Sequence, residues 1–211
     1  MIELIQGSPE WLEARAGSLG ASQVADAIAK TKTGWGASRA NVMATLITER
    51  LTGKPAETYT NSAMQWGTQT EPDARAAYEF MRDVDVQLVG IVKHPTIIGT
   101  HASPDGLVGD TGLIEIKCPS SATHLETLLS ESIPGKYITQ MQWQMCVTGR
   151  LWCDYVSFDP RMSANMQIWI HRVHRDNKMI AELDEQVREF LREMQQKIDL
   201  LQSKYGMKDA A

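Results

Sequence analysis

The segment Ser103-Pro104-Asp105-Gly106, followed by Glu115-Ile116-Lys117, constrains this chain more than any other. Gly106, Gly109 and Gly112, with Asp110, divide the segment into two short extended pieces. The second, Leu113-Ile114-Glu115-Ile116-Lys117, carries the alternation of a half-buried strand. Side chains two apart on a strand share a face, so Glu115 and Lys117 point together while Ile116 points into the core. If Asp105 ends the first piece, a hairpin sets its carboxylate beside Glu115.

Two carboxylates and a lysine suit a hard divalent cation. Magnesium takes oxygen ligands and keeps several waters, so one or two carboxylates plus a substrate phosphate suffice. The Ile116 backbone carbonyl, between the two functional side chains, is a candidate further ligand. Beside a metal, Lys117 would tend toward its neutral form, or would hold and activate a water nucleophile. The same spacing also fits an Asp-Gly turn and a strand with a surface Glu–Lys pair. The motif alone leaves both readings open.

A length of 211 residues fits one domain, 1–211, with a real core. No apolar run approaches a membrane span, and the N-terminus lacks a basic region before an apolar stretch, which predicts a cytoplasmic protein. Cys118, Cys146 and Cys153 are odd in number and lack zinc-type spacing, so free thiols are expected. The net charge of −5 argues against indiscriminate coating of nucleic acid. It leaves room for basic residues lining one groove.

Ser8-Pro9-Glu10 opens a helix, and Ser22 is expected to cap another through Ala29. Residues 30–36 read as an exposed loop, and 38–51 as a helix ending near Gly53. A helix over 71–81 places Pro72 in its first turn and Glu71 at its start. Strands are predicted over 86–93 and 96–101, helices over 122–130 and 136–147, and strands over 151–158 and 166–173. Asp176 caps a long helix whose apolar residues Ile180, Leu183, Val187, Phe190, Met194, Ile198 and Leu201 form one stripe.

With these elements placed, the chain resembles the phage lambda exonuclease family (the alkaline exonuclease or YqaJ-type viral recombinases) of the PD-(D/E)XK nuclease superfamily. The resemblance runs through Trp11-Leu12-Glu13-Ala14-Arg15-Ala16-Gly17, Ala21-Ser22-Gln23-Val24 and Trp66-Gly67-Thr68-Gln69-Thr70-Glu71 with Asp73-Ala74-Arg75. It continues through the Asp/Glu/Lys segment to Cys118-Pro119, then Tyr137-Ile138-Thr139-Gln140-Met141-Gln142 and Asp159-Pro160-Arg161-Met162. Each block is weak alone; in family order they are specific.

The resemblance implies an α/β (α+β) fold, a restriction-endonuclease-like central mixed β-sheet flanked by helices. It implies Mg2+-dependent, processive 5′-to-3′ degradation of one strand of linear duplex DNA, releasing 5′-mononucleotides and leaving a 3′ overhang. Asp105, Glu115 and the Ile116 carbonyl would hold two Mg2+ ions, with Mn2+ a possible substitute. Lys117 would act on the attacking water, with Glu71 and Gln140 close to the metal. Arg15, Ser22 and Ser103 match positions that hold a terminal 5′-phosphate. Lys32 stands where the family has an Arg that contacts DNA, and Met64 where a Leu splits the base pair. The family implies a ring-shaped homotrimer, a single-strand annealing protein as partner in recombination, and phage or prophage origin in a bacterial cell. His94, His101, His124, His171 and His174 match no family ligand and read as core or surface residues.

Two rivals follow from the core motif. One is a PD-(D/E)XK endonuclease, since the motif does not set substrate topology. The other is a non-catalytic DNA-end binding protein that recruits an annealing partner.

Overall fold

The computed structural model describes residues 5–32, 34–56 and 61–206. Ser8 accepts a hydrogen bond from the Trp11 N–H and caps α1 (Pro9–Arg15). β1 (Leu19–Gly20) leads into a tight 3-10 turn, Ala21–Gln23, and then the short α2 (Val24–Ala27). Ser22 therefore sits inside a turn and caps no helix running to Ala29. The Gln23 side chain reaches back to the Gly20 N–H at 3.1 Å, which holds this tighter turn. The loop expected over 30–36 is a small exposed hairpin, β2 (Lys30–Thr31) and β3 (Gly34–Trp35); residue 33 lies outside the described residues. Lys30 and Arg39 both lie over the Trp35 ring, at 4.8 and 3.7 Å from its centroid.

α3 (Ala37–Thr52) ends on Gly53 in the left-handed region. α4 (Ser62–Arg82) is longer than expected, with Asn61 as its cap and Pro72 in its interior. Glu71 is thus a mid-helix residue, and a helix-start role for it is corrected. Proline lacks the N–H that would bond the turn before it, a cost usually enough to end a helix. Here Thr70, Ala74 and Tyr78 bury one continuous face, and the helix carries through.

The strand expected over 86–93 is two strands in different sheets. β4 (Val86–Gln87) pairs with β7 (Gly106–Val108), and β5 (Val92–Lys93) pairs with β6 (Thr100–Ala102). Between them the Val89 and Gly90 carbonyls accept from the Gln6 amide and the Trp11 indole, so they leave the strand ladder. β7 (Gly106–Val108) and β8 (Gly112–Lys117) form the hairpin that carries the motif. A Cβ on Gly106 would lie 2.1 Å from a Val86 methyl, so the glycine lets β4 close on β7.

α5 (Ser121–Ser130), α6 (Gly135–Thr148), β9 (Trp152–Phe158), β10 (Ile168–His174) and α7 (Asn177–Tyr205) complete the order. The larger sheet runs β10-β9-β8-β7-β4, with β8 parallel to β9 and the other pairs antiparallel. The expected mixed sheet flanked by helices is present. β8 is central and buried on both faces rather than half-buried. Ile114 and Ile116 pack with Ala74 and Tyr78 of α4, while Leu113 packs with Met141 and Met145 of α6.

The α7 stripe is buried from Ile180 to Ile198, whereas Leu201 lies past the core and is exposed. Two blocks of the resemblance, distant in sequence, touch here. The Arg161 guanidinium grips Asp159 and lies 4.2 Å from the Trp66 ring centroid. Against the burial that opposes ionisation, hydrogen bonds from Arg161 hold the Asp159 carboxyl at about 2. Among the described residues no helix is long and apolar enough to cross a membrane, and the three cysteines are free.

Candidate functional site

The site grows from the β7–β8 hairpin. Its register pairs Gly106 with Ile114, which sets Asp105 opposite Glu115. Asp105 Oδ2 accepts the Ile116 N–H at 2.7 Å. A strand residue projects its N–H and C=O from the same edge, so the Ile116 carbonyl faces the Asp105 side. Glu115 and Lys117 share the face covered by α6, and Glu115 is 1% exposed.

Such a carboxylate needs donors, and it has three. Gln140 Nε2 donates to Oε1 and Gln144 Nε2 to Oε2, each at 2.7 Å, while Lys117 Nζ bonds Oε1. Gln140 and Gln144 are one helical turn apart and stand on the same face of α6. Sequence reasoning found the first and missed the second. The signal was the i, i+4 repeat, masked by Gln142 between them, which instead bonds the His174 carbonyl and the Asp176 N–H.

Glu71 comes from α4 and pairs with Arg75, one turn on, at 2.6 Å. Its charge reaches Asp105. Burial raises the Asp105 carboxyl well above the ordinary range and Glu115 raises it further, while Lys117 opposes, Glu71 adds, and the Ile116 N–H opposes. Burial lowers the Lys117 ammonium, but Glu115 and Asp105 outweigh it and hold the group above its usual value. These two carboxylates hold Lys117 in its charged form.

Asp105 borders three cavities. An open cleft of about 440 Å³ runs past Met64, Glu71, Ile116, Lys117 and Tyr137. Met64 is exposed on its rim. A second cavity of about 420 Å³ is walled by Ile5, Leu88 and Val89, with Glu71 and Arg75. The third, about 170 Å³, is polar: Arg15, Ser22, His101 and Ser103 face Glu115, Lys117, Gln140 and Gln144 across it. Lys32 borders none of the three and lies in the exposed turn between β2 and β3.

The small cavity holds unmet donor capacity. The Arg15 guanidinium lies over the Trp11 ring at 4.0 Å and makes no hydrogen bond or ion pair among the described residues. Burial lowers its pKa, with Glu49 opposing. Ser103 Oγ is buried without a partner among the described residues. A buried donor left unpaired costs free energy, on the order of 1–3 kcal/mol, so these two groups mark a place for an acceptor. His101 was read as core or surface, yet it lines this cavity. The available signal was its position two residues before Ser103 on an extended segment, which puts both on one face.

Comparison with known proteins gives the family and the fold. A YqaJ-like viral recombinase domain matches residues 10–151. LHK-Exo, in a crystal structure with dAMP, is 50% identical with a TM-score of 0.88, covering 93% of this chain and 97% of that one. Another structure of this alkaline exonuclease, from Laribacter hongkongensis, has a TM-score of 0.87 at the same identity and coverage. A phage-related exonuclease from Haemophilus somnus 129PT shares the fold at 16% identity, with a TM-score of 0.70 over 87% of this chain and 96% of that one. No curated protein sequence matches the chain.

Proposed function

Because the chain belongs to the YqaJ-like viral recombinase family, we propose that it is a metal-dependent exonuclease. It degrades one strand of linear duplex DNA processively from the 5′ end, releasing 5′-mononucleotides and leaving a 3′ overhang for single-strand annealing. The observation that carries this reading is the pair of adjoining cavities at Asp105. One presents Asp105 and Lys117; the other presents the Arg15 guanidinium and the Ser103 hydroxyl. A terminal phosphate in the small cavity leaves the next phosphodiester within reach of Asp105.

The donor set fits a hard cation. Asp105 is crowded by Glu115 and Glu71, and a bound cation relieves that repulsion. Among the described residues no three His, Cys, Asp or Glu side chains form a cage, so water and substrate phosphate would complete the shell, as magnesium favours. Asp105, Glu115 and the Ile116 carbonyl would hold two Mg2+, for which Mn2+ can substitute. When bound, the ions supply charge stabilisation for the attacking and leaving oxygens and a water that deprotonates near neutral pH.

The chain's own residues do the rest. Gln140 and Gln144 fix both oxygens of Glu115. Lys117, charged and hydrogen-bonded to Glu115, orients the nucleophilic water and faces the negative charge that develops on the phosphate. Glu71 adds its charge beside Asp105. Met64 on the rim has the bulk to unstack a terminal base pair, which needs no polar group. Lys32, on an exposed hairpin beside Trp35, contacts the duplex away from the chemistry.

In this reading the chain is a single nuclease domain. It assembles as a ring-shaped homotrimer that keeps an acidic protein on its track, and it hands the overhang to an annealing protein in the cytoplasm of a phage-infected or prophage-bearing cell. Light scattering at low concentration is expected to read the mass of three chains. A monomer that degrades long duplexes without dissociating would refute the ring.

End recognition supplies the direct test. A 5′-phosphorylated duplex is expected to be cut faster than a 5′-hydroxyl duplex, and a closed circle not at all. Arg15→Ala should shrink the phosphate preference about tenfold, the worth of one charge-assisted contact. Equal rates on both ends in the wild type would remove the pocket. Cutting of the circle would favour the endonuclease.

A further inference from the structure

We propose that Gly20 and His101 complete the small cavity as an oxygen-sized anion slot, with His101 Nε2 a donor to the terminal phosphate alongside Arg15. This rests on the end-binding role of that cavity and names a ligand that the sequence reading left out. The observation is a convergence over one glycine. A Cβ built on Gly20 would lie 3.2 Å from His101 Nε2 and 3.6 Å from Arg15 Nη2. Two nitrogens of different elements thus flank the space that any other residue would fill.

The Gly20 backbone does not explain the glycine. Its φ of −78° and ψ of 151° are ordinary extended geometry that suits every residue. What needs the missing side chain is the space above it.

The proposal needs the ring hydrogen of His101 on Nε2, and Ser18 can satisfy the other nitrogen. Nδ1 lies 2.9 Å from Ser18 Oγ, and that hydroxyl has no other side-chain partner among the described residues. With the Ser18 hydroxyl donating a hydrogen bond to Nδ1, the ring hydrogen sits on Nε2, the atom beside Gly20. Burial, with the Arg15 charge second, holds the imidazole neutral by lowering its pKa to about 4. A neutral N–H next to the Arg15 guanidinium can bind an oxyanion without adding a second buried positive charge. His101 is 2% exposed, so its ring is held in this orientation by packing as well as by Ser18.

The test is binding under chelation, which separates end recognition from cutting. Fluorescence anisotropy compares short duplexes bearing a 5′-phosphate or a 5′-hydroxyl on wild type, Gly20→Ala, His101→Ala, His101→Asn and His101→Gln. The readout is the affinity ratio of the two ends. Gly20→Ala and His101→Ala are each expected to cut that ratio about tenfold. His101→Asn, whose amide reaches only the Nδ1 position, should lose as much. His101→Gln, whose amide reaches the Nε2 position, should regain part of it.

Gly20→Ala guards against misfolding of the histidine variants, because its backbone accepts alanine. No preference in the wild type would overturn the end-binding role and this inference with it. A wild-type preference kept by Gly20→Ala and His101→Ala would overturn the slot while the Arg15 pocket stands. An equal loss on both duplexes would make His101 a structural residue and equally overturn it.

Discussion

Lys117→Ala is expected to lower single-turnover cleavage by roughly 10³-fold at saturating metal while the protein stays folded. The expectation follows from where the group sits. Its side chain is 27% exposed at the end of β8, so little packing is lost. Its ammonium is the one positive charge on the strand face that carries Glu115. Removing it leaves Glu115 with its two amide donors but deprives the water and the developing phosphate charge of their partner. A folded Lys117→Ala protein with near-wild-type turnover would remove Lys117 from the mechanism.

Asp105→Asn is expected to abolish cleavage yet stabilise the metal-free protein at neutral pH, by about 1–2 kcal/mol. The Asp105 carboxyl sits well above its ordinary range because burial and Glu115 disfavour its charge. A carboxyl raised on folding stabilises below its unfolded pKa and loses that contribution as pH rises through the folded one. At neutral pH the charge is therefore a cost. Asparagine removes the charge and can still accept the Ile116 N–H. Urea unfolding in chelator should show the variant ahead at neutral pH, with the curves converging in acid. Added Mg2+ should stabilise the wild type and not the variant. A less stable Asp105→Asn protein in chelator at neutral pH would contradict this electrostatic picture.

The convergence of Asp105, Glu115 and Lys117 was more legible in the sequence than the architecture around it. Asp105, Glu115 and Lys117 could be read because a strand has a period of two and a hairpin has a register, both local properties. Glu71 was placed wrongly within its helix because proline is a reliable local stop, while Thr70, Ala74 and Tyr78 bury enough surface to carry α4 past it. The split of 86–93 between two sheets was hidden for a related reason. The groups that interrupt it, Gln6 and Trp11, come from the far N-terminus. Gln144 and His101 were missed because each looks ordinary alone. Only the packing of α6 on β8, and of β6 beside β1, brings them to Glu115 and Gly20. Ser22 lost its expected cap role to a side-chain bond from Gln23 that spacing does not announce.

The most direct measurement is digestion of a linear duplex labelled separately at each 5′ and each 3′ terminus, followed with and without chelator. The account predicts early release of the 5′ label as a mononucleotide, retention of the 3′ label on a lengthening single strand, and complete arrest in chelator. Release of the 3′ label first, internal cuts in both strands, or digestion that persists without divalent metal would contradict it.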